Sequence, residues 1–244
     1  MRAECHDTIT YCGHRFRLWL SRPVEGVIKT GSFTQDARGR WYVNLQCEVA
    51  DALEPVGQAE IGIDLGLVNQ IACSDGVIYS RDNLTRAHET ALAMAQRAGK
   101  KKRVKTIQAK IANIRADWTH KATTAITQRA KYVVIGDVSS AKLIKTPFAK
   151  STLDAAWHNV RFQLSYKANR LAGICVSGRE QWSSVTCSDC GARTGPSGLR
   201  ALGVREWACT HCGVTHNRDV NAAKNILAFS PCGTSQANKG IRLL

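Results

Sequence analysis

The sequence predicts an α/β domain built on a mixed sheet, with a small cysteine module inserted near the C-terminus, and three observations carry that expectation. Ile61, Ile63 and Leu65 alternate, and residues 71–73 and 77–79 flank Asp75-Gly76, which reads as a three-strand meander. A second apolar strand, residues 132–135, follows a long basic helical stretch. Two Cys-x-x-Cys pairs, Cys187/Cys190 and Cys209/Cys212, enclose residues 191–208, a spacing that suits a tetrahedral zinc site. In chain order the elements are meander, helix, strand, helix, strand, cysteine insertion and helix, an alternation that suits helices packed on a mixed sheet.

Each element has its own pattern. Residues 40–49 alternate strictly, with Trp41, Val43, Leu45, Cys47 and Val49 apolar behind the turn Asp36-Ala37-Arg38-Gly39, so an antiparallel half-buried strand is expected. Residues 15–20 are the weaker candidate for its partner. The first 50 residues hold about three strands, too few to close a barrel. The pattern breaks around Asp51-Ala52-Leu53-Glu54-Pro55 before the meander, which has Asp64 at the centre of its first strand. A carboxylate there is costly unless solvated, paired or bound to metal. From 85 to about 117 a helical segment has an apolar stripe at Ala93, Val104, Ile107, Ile111 and Ile114 only if Gly99 interrupts it, so two helices or a kinked one are expected. Another helix over 119–131 feeds the strand 132–135. A helix over 151–171 carries Leu153, Ala156, Trp157, Val160 and Leu164, and a short strand at 173–176 follows. The final helix, 219–228, turns Val220, Ala223, Ile226 and Leu227 inward.

Composition narrows the partners. The chain has 244 residues, 44% of them hydrophobic, and 34 Lys+Arg against 19 Asp+Glu give a formal charge of +15. Such a surplus favours a polyanion, because phosphate neutralisation releases counterions. Lys100, Lys101, Lys102, Arg103, Lys105 and Lys110 concentrate part of it in one helical segment. That segment is either a solvated face or a phosphate-contacting surface, and the overall charge turns the reading toward nucleic-acid binding. No apolar run is long enough for a membrane span, and residues 1–7 lack the apolar core of a secretion signal, so a cytoplasmic setting is expected. Cys5, Cys12, Cys47, Cys73, Cys175 and Cys232 show no framework spacing. Gly191 and Gly213, directly after the second cysteine of each pair, suit the backbone of a metal knuckle. The alternative, two surface redox pairs, requires a matched double pair to arise by chance.

Asp64, Asp137, Glu180 and Asp219 stand at strands, strand ends or a helix start. Carboxylates converging at one sheet edge would hold two Mg²⁺ ions about 4 Å apart and stabilise attacking and leaving oxygens in phosphodiester cleavage. Each alone also has a structural role open to it: a turn cap for Asp64, an N-cap for Asp137 or Asp219, a rim position for Glu180.

Ile61-Gly62-Ile63-Asp64-Leu65-Gly66, the double Cys-x-x-Cys and Asn217-Arg218-Asp219-Val220-Asn221-Ala222-Ala223-Lys224-Asn225-Ile226 together resemble TnpB, the OrfB-type proteins of bacterial insertion sequences, which are related to type V CRISPR effectors. Residues 31–42 also fit that family's N-terminal barrel. The resemblance implies an RNase H-like (RuvC) nuclease fold with a structural zinc ribbon ahead of the last catalytic helix. It implies Mg²⁺-dependent DNA cleavage guided by an RNA from the transposon end, in a nucleoid-associated protein often called a transposase. The matching organisation is 1–57 partial β-barrel segment, 58–186 first nuclease part, 187–212 zinc ribbon, 213–229 last nuclease helix and 230–244 tail.

By motif, Asp64 matches the first catalytic aspartate and Asp219 the last. The middle acid departs: the family ends the strand with Glu-Asp-Leu where this chain reads Gly136-Asp137-Val138. Asp137 takes over only by a one-position shift, which an extended strand turns to the opposite face. A second reading is an inactive site in a protein that binds without cutting. The favoured reading moves the acid to Glu180, seven residues before Cys187, so that Asp64, Glu180 and Asp219 hold Mg²⁺. The chain is also shorter than the family, which implies a truncated or degraded copy whose guide RNA and DNA recognition are incomplete. The competing class is a non-enzymatic nucleic-acid-binding protein.

Overall fold

The chain divides into two compact units, residues 1–50 and 51–244. The computed structural model describes residues 6–20, 23–50, 52, 54–81, 84–137, 155–198, 201 and 203–230. Cys5, Val138, Leu153, Cys232 and the expected tail beyond residue 230 lie outside them.

The first unit holds two hairpins. Strand β1 (His6–Tyr11) pairs antiparallel with β2 (His14–Trp19), and β3 (Val27–Gln35) with β4 (Trp41–Glu48). The expected pairing of 15–20 with 41–49 is thus corrected, and there are four strands rather than about three. Short turns join neighbours at low entropic cost. The Cys12-Gly13 turn has positive φ at both residues, 48° and 77°, as a two-residue hairpin requires. At the second turn Asp36 Oδ1 accepts from the Arg38 and Arg40 amides at 2.8 and 3.0 Å. The alternation expected in β4 holds, with Val43, Leu45 and Cys47 half-buried between exposed neighbours. No described residue of this unit is fully buried; Phe33 packs against Tyr11 and Phe16 at ring distances of 5.5 and 5.4 Å.

The second unit is built on a mixed five-stranded sheet. Its strands are β5 (Ala59–Asp64), β6 (Ile71–Cys73), β7 (Ile78–Tyr79), β8 (Ala130–Gly136) and β9 (Ile174–Gly178), in the spatial order β7-β6-β5-β8-β9. The meander β5-β6-β7 is antiparallel, while β8 runs parallel to β5 and β9 parallel to β8. Between β7 and β8 run α1 (Leu84–Arg97) and α2 (Lys101–Arg129), separated where Gly99 takes φ 64°. The helix expected over 119–131 is the continuation of α2. No breaker interrupts it, and the hydroxyls of Thr119, Thr123 and Thr127 bond back to carbonyls one turn earlier at 2.8, 2.7 and 3.0 Å, so β-branched residues are accommodated inside the helix.

Helices α3 (Trp157–Arg170) and α4 (Arg218–Ala228) complete the unit. Period-two alternation assigns the faces. Ile61, Ile63, Val133 and Ile135 pack with Ile126, Trp157, Val160 and Leu164 of α2 and α3. Tyr132 and Val134 pack instead with Ile226 of α4. One expectation is corrected here: Asp64 is the last residue of β5, not its centre. The chain turns immediately after it, and Trp157 Nε1 donates to the Gly66 carbonyl at 3.2 Å, fastening that turn to α3. No helix among the described residues is long and apolar enough to cross a membrane.

Candidate functional site

Close packing of α4 against the sheet creates the acidic site. A Cβ on Gly62 would overlap the Ala223 carbonyl and crowd Leu227, so only glycine lets α4 approach β5 this closely. Asn217 begins the helix: its side chain accepts from the amides of Asp219 and Val220 at 3.1 and 3.2 Å, a standard N-cap arrangement. Asp219 therefore sits in the first helical turn. Its Oδ2 accepts from Asn69 Nδ2 at 2.7 Å, and the Arg205 guanidinium lies 3.3 Å from both oxygens.

Glu180 approaches from the turn after β9. Its amide donates to Asp137 Oδ1 at 3.2 Å, and Asp137 N donates to the Gly178 carbonyl at 3.0 Å. Asp137, exposed, thus shapes the turn that carries Glu180. A Cβ built on Gly136 would stand 3.6 Å from the Glu180 carboxyl carbon and 3.0 Å from Ile226 Cδ1. The Glu180 carboxylate consequently lies over the glycine, on the face of the sheet that α4 covers. Arg161 of α3 donates to the Gly136 carbonyl at 2.6 Å.

The electrostatics tie these groups together. Burial, with the charges of Glu180 and Asp219 adding to it, pushes Asp64 up to about 8. Burial and the Asp137 carboxylate push Glu180 up to about 7, against the pull of Arg161. A cation supplied from outside would relieve both. The oxygens of Asp64, Glu180 and Asp219 do not all fall within 4.8 Å of one another; among the described residues that spacing is reached by the four cysteines and by Cys187, Asp189 and His216.

The two cysteine pairs meet in one cluster whose four sulfurs lie within 4.8 Å of each other and could hold a metal ion. Cys187 and Cys212 are 3.7 Å apart and Cys190 and Cys209 3.6 Å. Each pair forms the same loop: Gly191 N donates to the Cys187 carbonyl at 2.9 Å and Gly213 N to the Cys209 carbonyl at 2.8 Å. Both glycines take φ 76°, a conformation that disfavours residues with a Cβ. A set of four thiolates is the donor chemistry of a soft or borderline ion such as zinc. Strands β10 (Glu206–Ala208) and β11 (Thr215–Asn217) form a hairpin beside the cluster. There the Trp207 and His216 rings pack at a tilt of 37° with centroids 4.9 Å apart, and His216 Nε2 lies 3.0 Å from Cys187 Sγ.

Lys100, Lys101, Lys102, Arg103, Lys105 and Lys110 are all exposed, and Ile107 and Ile111 of α2 pack with Ala95 of α1. At about 100° per residue the consecutive cations wrap the helix rather than form a single stripe. Sequence reasoning missed Asn69, Arg161 and Arg205, which reach the acidic residues from separate loops and helices without a local signal. It also assigns no role to Asn221 and Asn225, although polar residues four apart among the apolar positions of a helix are such a signal.

Residues 157–226 match the Cas12f1-like TNB domain family. The described fold resembles Cas12f1 in the cryo-EM structure of a Cas12f1-sgRNA-target DNA complex, with a TM-score of 0.52 and 19% identity over 78% of this chain and 53% of that one. The class is therefore an α/β protein in which residues 157–226 are similar to a Cas12f1-like TNB domain. A Streptomyces pristinaespiralis protein named as a candidate RNA-guided DNA endonuclease is 36% identical over 91% of this chain. InsQ of Escherichia coli K12, named in the same way, is 29% identical over 85%. The chain is similar to both of these proteins and spans 58% of the length of each.

Proposed function

We propose that this chain is the nuclease part of a TnpB-type, RNA-guided DNA endonuclease, with an RNase H-like (RuvC) domain, a zinc ribbon and a Mg²⁺ site formed by Asp64, Glu180 and Asp219. The observation that carries the reading is the position of Glu180, whose carboxyl carbon lies 3.6 Å from where a side chain on Gly136 would begin. An acid missing from the end of β8 is supplied from the turn after β9, and the longer glutamate side chain spans the displacement. The strand order β7-β6-β5-β8-β9 and the 36% identical relative support the same reading.

Asp64 and Glu180, both raised by burial, gain from a divalent cation that neutralises them. When bound, Mg²⁺ would stabilise charge on the attacking and leaving oxygens of a phosphodiester. The protein's own part is to hold the carboxylates: Asn69 and Arg205 orient Asp219, and Asp137 fixes the turn below Glu180. Zinc in the cysteine cluster has no reacting role. DNA and a guide RNA are the partners, and the exposed cations of α2 supply phosphate contacts.

The test is Mg²⁺-dependent DNA cleavage by the chain, supplied with guide RNA, as wild type, Asp64→Ala, Glu180→Ala and Asp137→Ala. Loss of at least a hundredfold in the first two variants, with a smaller loss in Asp137→Ala, is expected; full activity in Glu180→Ala removes it from the site. A second reading, a nucleic-acid binder that does not cut, is favoured by the Arg205 guanidinium 3.3 Å from Asp219, which a metal must displace. Salt-dependent DNA or RNA binding with no cleavage in Mg²⁺ or Mn²⁺ selects it.

A further inference from the structure

We infer that Asn221 and Asn225 are positioning residues that couple metal occupancy of the four-cysteine cluster to the cation affinity of the acidic site. The inference rests on the reading of Asp64, Glu180 and Asp219 as a cation site. Both asparagines are buried, at 1% and 4% exposure, and stand four residues apart on α4, hence on one face. Asn225 Nδ2 donates to the Ser183 and Thr186 carbonyls, both at 2.7 Å. Asn221 Nδ2 donates to the same two carbonyls at 3.2 and 2.8 Å, while its Oδ1 accepts from the Ser188 amide at 2.9 Å. Five hydrogen bonds thus fasten the segment leading into Cys187 to the helix that begins beside Asp219.

The other half of the cysteine cluster is fastened to the same helix by the chain itself. Strand β11 follows Cys212 and ends at Asn217, the residue that caps α4. Arg205, on the strand side of the same half, bonds to Arg218 through the backbone at 2.7 Å and places its guanidinium against Asp219. Ion binding by the four thiolates closes these two attachments into one frame around the first turn of α4. Without an ion nothing ties the four sulfurs, which lie within 4.8 Å of each other, to a common centre, and the frame opens at its cysteine end. Buried asparagine amides that lose their carbonyl partners are costly, so strain at the cluster reaches α4 rather than being absorbed by loops. Linkage makes the effect reciprocal: a cation at the acidic site would tighten metal retention by the cysteines.

The experiment is a Mn²⁺ titration followed by electron paramagnetic resonance on the full chain, zinc-loaded and zinc-free. Mn²⁺ prefers carboxylates to thiolates, and Asp64→Asn identifies the signal that belongs to the acidic site. In wild type, removing zinc is expected to weaken that Mn²⁺ site about tenfold, within the usual range of allosteric coupling. In the Asn221→Ser, Asn225→Ser double variant, checked for zinc content and helical circular dichroism, the zinc-loaded protein is expected to bind Mn²⁺ about tenfold more weakly already. Removing zinc from it then adds little. Equal Mn²⁺ affinity with and without zinc in wild type overturns the coupling, as does full zinc dependence in the double variant. Absence of any Asp64-dependent Mn²⁺ site overturns the acidic-site reading and the coupling with it. Should the double variant not fold, the wild-type comparison decides, together with hydrogen exchange at residues 219–222, which zinc removal should accelerate.

Discussion

Asp64 occupies a position that favours its neutral form: burial and two neighbouring carboxylates raise it from 3.8 to about 8. A carboxyl raised on folding contributes stability that is fully present below its unfolded value and is lost as pH rises through the folded one. In Mg²⁺-free buffer with zinc retained, the second unit should therefore lose stability between about pH 4 and pH 8. Asp64→Asn removes the part of that dependence that Asp64 contributes and leaves the part due to Glu180. Its melting temperature should exceed wild type by several degrees at pH 8, taking roughly 2–4 °C for each kcal/mol in a chain of this size, and the gap should close near pH 4. Thermal melts at both pH values check it, and an equal gap at both would mean that Asp64 is not buried as an acid. Adding Mg²⁺ should raise the wild-type melt at pH 8 and leave the variant nearly unmoved. The same residue-scale reasoning separates Asp137 from Glu180. Asp137 accepts the Glu180 amide, so its loss disturbs a turn, whereas loss of Glu180 removes a charge from the site.

Helix α4 shows how elements turn side-chain size into site geometry. Its close seat on β5 depends on Gly62, where an added methyl would overlap the Ala223 backbone. Gly62→Ala should cost at least the 1–3 kcal/mol typical of overpacking and should disturb the acidic site, because backbone cannot yield as a flexible side chain does. Asn217→Ala, which removes the cap, should cost about 1 kcal/mol. Denaturant melts of both variants rank them, and a milder effect at Gly62 than at Asn217 would contradict the packing argument. These examples also mark what the sequence discloses. The amphipathic run of α4, the gathering of the four cysteines and the three-strand meander are local patterns and appear in the fold, whereas the place of Asp64 at the end of β5 does not follow from alternation alone. The partner of β4 was misassigned because pairing depends on turn geometry as well as alternation. The segments expected as separate helices over 85–117 and 119–131 are continuous through Thr119, where the hydroxyls of Thr119 and Thr123 bond within the helix. Arg205 and Asn69 at Asp219 were not legible, since they arrive from distant positions that only the folded sheet brings together.

At the scale of the whole molecule the core is unevenly distributed, and so are the consequences of perturbing it. Cys187, Trp207 and Cys209 form a small cluster separate from the main core around Ile61, Val133 and Leu164. Cys187→Ser should therefore expose residues 183–217 to proteolysis while β8 amides stay protected from exchange. Simultaneous loss of β8 protection would mean that the cysteine module supports the sheet directly. The charge has a comparable division of labour. With a formal net charge of +15, some affinity for nucleic acid is delocalised, but Lys101, Lys102, Arg103 and Lys105 form a dense exposed group on α2. If they meet phosphates, each releases close to one counterion, and the dependence of log K on log salt flattens by about 0.7–0.9 for each contact removed. Replacing all four by glutamine should then reduce the slope by roughly 3 and weaken binding alike across DNA sequences. Fluorescence anisotropy at a series of salt concentrations measures both. An unchanged slope would make these cations a solvated face and move the phosphate-binding surface elsewhere on the molecule.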